Sequence, residues 1–136
     1  MISQRHMSRV AAMQALYAFL LQDKTADDSA AFLEHALNEL PKKIENTSFA
    51  RKIYTGCIKN RTEITEKITE KTTHKNLNKI DTITLSVLFI GTFELLFDEE
   101  KQPAPIIMNE AIEIAKEYGK DSSAPLVNAI LSKLSQ

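Results

Sequence analysis

The residues of this chain best able to do enzymatic chemistry are its clustered acids. Glu110, Glu113 and Glu117 recur at helical spacing on one face, where buried carboxylates could bind a metal or transfer protons. They lie opposite the apolar face of the same predicted helix, so we expect an exposed acidic face with unperturbed carboxylates. The three glycines are scattered and form no phosphate-binding loop. The pattern indicates a protein that is not an enzyme.

The histidines and the cysteine provide no other route to catalysis. His6, His35 and His74 lie in separate segments, and no pair has the spacing of a helical metal site. Cys57 is the single cysteine, which excludes an internal disulfide, and its helical spacing from Ile53 predicts a small buried residue. We therefore expect neither a metal nor a cofactor.

Basic, aromatic and amide side chains favour contact with nucleic acid. The net charge is -1, so any such contact must be local rather than spread over the surface. The candidates could hold phosphates, stack on bases or bond to them: Arg5, His6, Arg9, Gln14, Tyr17, Lys116, Tyr118, Lys120 and Asn128. Taken alone, scattered basic residues of this kind are more often ordinary surface charge than a nucleic-acid site.

Six helices are predicted to position these residues. The 43% hydrophobic share, with 3 Gly and 4 Pro, favours long helices over sheets. The predicted helices run from about Ser8 to Leu21, Leu33 to Leu40, Ser48 to Ile68, Thr82 to Phe97, Pro103 to Tyr118 and Ser123 to Leu134. A loop is expected at Asp23 to Asp28, and the 136 residues fit one domain.

Several single residues predict local features of these helices. Asp81 or Thr82 is expected to cap the fourth helix and Ser123 the sixth, and Gly119 is expected to end the fifth in a left-handed conformation. Gly91 within an apolar helix predicts a close helix crossing. Glu94 in the same helix predicts a buried partner, because an unpaired buried carboxylate is expensive.

The order of these residues resembles the NusB family of bacterial transcription antitermination factors. The matching positions are Arg5, Arg9, Gln14 to Tyr17, Phe49, Gly56, Glu94-Leu95, Pro103, Asn109 to Lys116, Tyr118-Gly119, Ser123, Val127-Asn128 and Ile130-Leu131. The resemblance covers nearly the whole chain. It implies an all-α fold of two small antiparallel helical bundles packed together, one NusB-like domain over residues 1–136, and no enzyme activity.

The resemblance also implies a function and the residues that perform it. Such a protein binds boxA-type single-stranded RNA together with the small-subunit ribosomal protein that acts as NusE, and helps RNA polymerase read through terminators. The implied RNA-binding residues are Arg5, Arg9, Gln14, Lys116, Tyr118, Ser123 and Asn128. Tyr17 is implied at or near the partner surface. If Arg5 and Arg9 each neutralise a phosphate, their joint replacement should flatten the log–log salt slope by roughly 1.4.

The chain departs from the family pattern at several polar positions. His6 stands where adjacent arginines are common, and Ser122, Ala124 and Leu126 replace an acid, a histidine and an aromatic residue. These departures support a second hypothesis, a divergent helical protein-interaction module with weak or no RNA binding. A third is an accessory domain of a ribosomal RNA cytosine methyltransferase, because certain such enzymes begin with the same helical module.

Two further expectations concern location and the asparagines. The apolar stretch from Val87 to Phe97 is too short to span a bilayer, and no signal-peptide pattern precedes it, so a cytoplasmic protein is expected. Some relatives form homodimers, which the resemblance leaves open here. Asn109 and Asn128 also have a structural alternative, as buried amides bonded to backbone carbonyls between helices.

Overall fold

The computed structural model describes residues 3–22, 29–73 and 77–136, and within these ranges it contains seven α-helices and no strand. The helices are α1 (Gln4–Leu21), α2 (Ser29–Asn38), α3 (Ser48–Lys59), α4 (Arg61–Lys71), α5 (Thr82–Thr92), α6 (Ala104–Tyr118) and α7 (Ser123–Leu134). The all-α prediction is confirmed. The predicted loop at Asp23 to Asp28 and the histidine His74 lie outside the described residues.

The predicted third helix is in fact two helices, α3 and α4. Asn60 separates them with φ -103° and ψ 18°, and both its backbone N–H and its side-chain amide donate to the carbonyl of Gly56, at 3.0 and 2.8 Å. Asparagine competes in this way with helical hydrogen bonding, which the apolar periodicity alone did not reveal. Ile64 and Ile68 on α4 are nevertheless fully buried, so both helices contribute to the core.

The central element is α5, which packs against α1, α4, α6 and α7. Its predicted cap is confirmed, because a carboxylate oxygen of Asp81 accepts from the N–H of Thr84 at 3.2 Å. The predicted close crossing at Gly91 is also confirmed. A Cβ atom placed there would lie 2.6 Å from Cδ1 of Leu131 on α7, so a larger residue would have to displace the Leu131 side chain.

The helices form two packed groups around one continuous core. In the first group α1 packs against α2 and α3, and in the second α6 and α7 pack on each other and on α5. Beyond α5 the chain continues through a π-helical turn, Phe93–Phe97, in which the N–H of Asp98 donates to the carbonyl of Phe93 at 2.9 Å. This wider turn carries Glu94 and lies where the two groups meet.

Candidate nucleic-acid interface

Arg9, a predicted RNA-binding residue, lies in the interior. Its side chain is 3% exposed and donates from Nε and Nη2 to the carboxylate of Glu94, which is 1% exposed, at 2.8 Å in each case. Nη1 donates to Oε1 of Glu110 at 3.1 Å. The buried partner predicted for Glu94 is therefore confirmed. Arg9 therefore has a structural task in the interior, and with only 3% of its side chain exposed it offers a phosphate little accessible surface.

The electrostatics of Arg9 follow from the same contacts. Burial acts to lower the pKa of Arg9, but hydrogen bonds and charges from Glu94 and Glu110 outweigh it and raise the pKa above its ordinary value. The guanidinium is thus held charged between two carboxylates from the π turn and from α6. It joins α1 to the second group of helices.

His6 extends this network toward the surface. Its Nδ1 lies 3.2 Å from Oε2 of Glu110, and its Nε2 lies 3.8 Å from Oε2 of Glu117. The expected acidic face is therefore wrong for Glu110, which is half-buried and shared between Arg9 and His6. Glu113 and Glu117 are exposed, as predicted. Glu110 and Glu117 thus contact side chains of the first turns of α1 and do not form a catalytic cluster.

Arg5 is the arginine of the first helix that faces solvent. Its side chain is 46% exposed, and Nη2 lies 3.6 Å from the carboxylate of Glu100. It borders a groove of about 700 Å³ between the starts of α1 and α6, hereafter the α1–α6 groove. Exposed Asn109 and Ile106 line the same groove, so charged, amide and apolar side chains meet there.

A second groove, of about 530 Å³, lies at the junction of α6 and α7 and is hereafter the α6–α7 groove. Exposed Lys116, Lys120 and Asn128 line it together with Ala124 and Pro125. The structure thus brings three of the sequence candidates to one surface. The alternative of buried structural amides is wrong for Asn128, and also for Asn109 in the first groove, because both are exposed.

Ser123 is buried beneath this junction instead of lining the groove. Its side chain is 1% exposed, and Oγ accepts from the backbone N–H of Lys120 at 3.0 Å and lies 2.7 Å from Oγ1 of Thr84. Thr84 in turn donates to Asp81 at 2.7 Å. Ser123 is also the first residue of α7 and not its cap, which is Ser122. It therefore ties the junction to α5 and is not exposed in the groove.

Gly119 ends α6 in an extended conformation, with φ -92° and ψ -167°, so the prediction of a left-handed residue is wrong. The glycine has a steric reason instead. A Cβ atom there would lie 2.5 Å from Oγ of Ser123 and 2.7 Å from the carbonyl oxygen of Ala115. Its absence lets the chain turn closely over the buried hydroxyl.

The remaining sequence candidates are distributed over other surfaces. Tyr118 is half-buried, and its pKa is raised by burial and by the nearby charge of Glu117. Gln14 lines a different groove, between α1 and α2, together with Phe32. Tyr17 is 37% exposed on α1. The predicted RNA set is therefore only partly assembled, and Gln14 does not share a groove with Lys116 and Asn128.

A second cluster of side chains, which no sequence pattern predicts, lies beside Arg5. The ring of Phe49 on α3 lies under the Arg5 guanidinium at 4.3 Å, and Lys52 on the same helix contacts Glu100 at 3.1 Å. Lys52 and Glu100 are 48 positions apart, so no local pattern joins them. Only the packing of α3 against α1 and the π turn makes them neighbours.

The described part of the chain presents no group of three or more His, Cys, Asp or Glu side chains that could hold a metal. Cys57 is buried as predicted, with Sγ 3.6 Å from the carbonyl oxygen of Phe89, and burial raises the pKa of its thiol. None of the described helices has both the length and the apolarity to cross a membrane.

Taken together, a helical scaffold around one core, with basic and amide side chains displayed at open grooves, defines an all-helical binding module. Comparison with known proteins identifies the family. Residues 6–136 match the NusB family, so the chain belongs to it. This is a family of non-catalytic antitermination factors, and the chain is accordingly not an enzyme.

Curated and solved relatives support this membership over the whole fold. The transcription antitermination protein NusB of Chloroflexus aggregans is 37% identical over 130 residues, which cover 95% of this chain and 85% of the relative. The structure of T. maritima NusB aligns with a TM-score of 0.83 and 30% identity, covering 99% of this chain and 92% of that one. A crystal structure of the antitermination factors NusB and NusE in complex with dsRNA aligns with a TM-score of 0.82 over 99% of this chain and 98% of that one, at 19% identity, which shows the fold alone.

Proposed function

We propose that this chain is a transcription antitermination factor, a non-catalytic cytoplasmic adaptor that binds boxA-type single-stranded RNA. It acts together with the small-subunit ribosomal protein that serves as NusE, and supports read-through of terminators by RNA polymerase. The observation that carries this proposal is the family match over residues 6–136, reinforced by curated relatives named transcription antitermination proteins.

The two grooves support an RNA-binding role for this fold. Arg5 at the α1–α6 groove and Lys116 and Lys120 at the α6–α7 groove are exposed cations that can neutralise phosphates. Exposed Asn128 offers both a donor and an acceptor to a base edge. Since the net charge is -1, these local groups must provide the attraction, and affinity should fall as salt is added.

A partner protein would compensate for the small number of cations available to hold the RNA. RNA held by a few cations gains affinity when a second protein contacts the same strand, because the two binding events then share one complex. Tyr17 and Leu21 are exposed on α1 and belong to neither groove, which leaves them free for a protein contact. We assign Tyr17 to the partner surface on this basis.

The burial of Arg9 and Ser123 favours one alternative, a divergent module that binds protein but reads RNA weakly. Leu126 supports it further, since it is half-buried and cannot stack on a base as an aromatic ring would. The same partner protein would then bind without RNA.

Fluorescence anisotropy on a labelled boxA-type RNA, with and without the ribosomal partner, tests the proposal. We expect sequence-dependent binding that strengthens at least about tenfold when the partner is present. A scrambled RNA of equal length is the control. Equal binding of both RNAs, in the presence and absence of partner, would overturn the RNA-binding function, while partner binding without RNA selectivity would support the alternative.

A further inference from the structure

The carboxylate of Glu100 bridges two cations that come from different helices. Its Oε1 accepts from Nζ of Lys52 at 3.1 Å and lies 3.6 Å from Nη2 of Arg5. Glu100 is 59% exposed, and Arg5 and Lys52 are partly exposed beside it. The bridge is therefore at the surface, where solvent and other anions can reach it.

An aromatic platform orients the same two cations. The Arg5 guanidinium lies 4.3 Å from the centroid of the Phe49 ring, and Nζ of Lys52 lies 5.1 Å from it. Cations within about 6 Å of a ring centroid are attracted to its face. Phe49 is packed against the core, so its ring offers the pair a fixed face that does not depend on the bridging carboxylate.

A second acid, Asp98, lies beside this cluster and is buried. Asp98 is buried, its Oδ2 lies 3.1 Å from Nζ of Lys52, and its Oδ1 accepts from the N–H of Glu100 at 3.0 Å. The buried Asp98 carboxylate thus stays paired with Lys52, while the exposed Glu100 carboxylate can be displaced by another anion. Removal of the Glu100 carboxylate from the bridge would leave two cations and one acid, a net positive site.

We propose that Arg5 and Lys52, held over Phe49, form a site for a backbone phosphate of the bound RNA, and that the Glu100 carboxylate occupies this site in the free protein as an internal competitor. The inference rests on the proposed function and adds two residues to it. A carboxylate and a phosphate present similar acceptor oxygens to such cations. The competitor is charged at neutral pH, as any exposed carboxylate is, and Lys52 and Arg5 lower the pKa of Glu100 further.

Exchange at this site is energetically easy. Exposed ion pairs are worth little, so a phosphate from an RNA held elsewhere on the surface can displace Glu100. The competitor should nevertheless weaken RNA binding by roughly two- to fivefold at low salt, and less at high salt where all these contacts are screened.

The test compares E100Q with E99Q by anisotropy, using a boxA-type RNA and the ribosomal partner. Both variants remove one negative charge, but Glu99 is exposed and has no described contact with Arg5 or Lys52. We expect E100Q to tighten binding by about two- to fivefold and E99Q to change it by less than about 1.5-fold.

Two further variants locate the effect. We expect R5Q/E100Q to lose most of the gain seen in E100Q, and K52Q, after circular dichroism confirms that it is folded, to weaken RNA binding. Equal effects of E100Q and E99Q, or a gain that persists fully in R5Q/E100Q, would overturn the phosphate site while leaving RNA binding intact. Absence of RNA binding by the unaltered protein with its partner would instead count against the proposed function itself.

Discussion

Arg9 on α1 and Glu94 in the π turn form a bidentate ion pair with both hydrogen bonds at 2.8 Å, and less than a twentieth of either side chain is exposed. The pair joins the first group of helices to the second. The family resemblance implied an RNA-binding role for Arg9, whereas in the structure it stabilises the scaffold. Replacement of Arg9 and replacement of Arg5 should therefore affect stability and RNA binding differently.

Replacement of Arg9 should destabilise the fold strongly. In R9M the Glu94 carboxylate is left buried without its cation, which typically costs about 3–5 kcal/mol. Urea unfolding followed by circular dichroism measures the loss. The double variant R9M/E94Q removes both charges and should lose clearly less than the sum of the single variants. If R9M kept the stability of the unaltered protein but bound RNA weakly, Arg9 would have an RNA-binding role and not a structural one.

Arg5 should have the opposite profile. Because its side chain is largely exposed, R5A should change the free energy of unfolding by less than about 1 kcal/mol. It should flatten the log–log salt dependence of RNA binding by about 0.7, the value for one phosphate contact on a single strand. This is half the slope change expected when Arg9 is counted as well. K43A, at an exposed lysine that lines neither groove, is the control and should leave the slope unchanged.

The α6–α7 groove predicts separate roles for Lys116 and Asn128. K116A should weaken RNA binding and flatten the salt slope by about 0.7, whereas N128A should weaken binding by about 1 kcal/mol with the slope unchanged, since an amide neutralises no phosphate. Anisotropy titrations over a salt series separate the two effects. K133A is the control, because Lys133 is on α7 like Asn128 but does not line the groove, and it should bind RNA like the unaltered protein. Identical slopes for K116A and the unaltered protein would place the RNA elsewhere.

The close crossing of α5 and α7 predicts a penalty for any side chain at Gly91. Alanine there gains about 1 kcal/mol in helix propensity but meets the fully buried Leu131 at 2.6 Å, and overpacking costs about 1–3 kcal/mol. G91A should therefore be less stable by roughly 1 kcal/mol in thermal or urea unfolding. The penalty should shrink in an L131V background. Additive effects of the two substitutions would show that the helices do not meet at this point.

Tyr54 predicts a loss of stability at alkaline pH. Burial raises the pKa of Tyr54 to about 12, and its hydroxyl donates to the carbonyl of Ser29 at 2.6 Å. The unfolded chain releases the same proton near pH 10, so the stabilising contribution is complete below about pH 10 and disappears as pH rises toward 12. Urea midpoints measured across this interval should fall more steeply for the unaltered protein than for Y54F. Parallel curves would contradict the assignment.

Helices and caps could be predicted from the sequence wherever they depend on residues close together in the chain. Asp81 capped α5 as expected, because a carboxylate before an apolar run has a clear use at a helix start. The break at Asn60 was missed because the isoleucines on both sides keep the helical spacing that a single helix would show. The left-handed conformation predicted for Gly119 is wrong, because a glycine after a helix can also be required where a Cβ atom would clash with a neighbouring side chain.

The sequence by itself determined the all-helical fold, the buried positions of Cys57 and Glu94 and the family, since apolar periodicity, capping residues and ordered motifs are properties of the chain read in order. Only the tertiary structure decided which polar residues remain at the surface. Arg5 and Arg9 are one helical turn apart with identical side chains, yet one meets solvent and the other Glu94. That difference depends on partners about 85 to 100 residues away in sequence, whose positions follow from packing and not from local pattern.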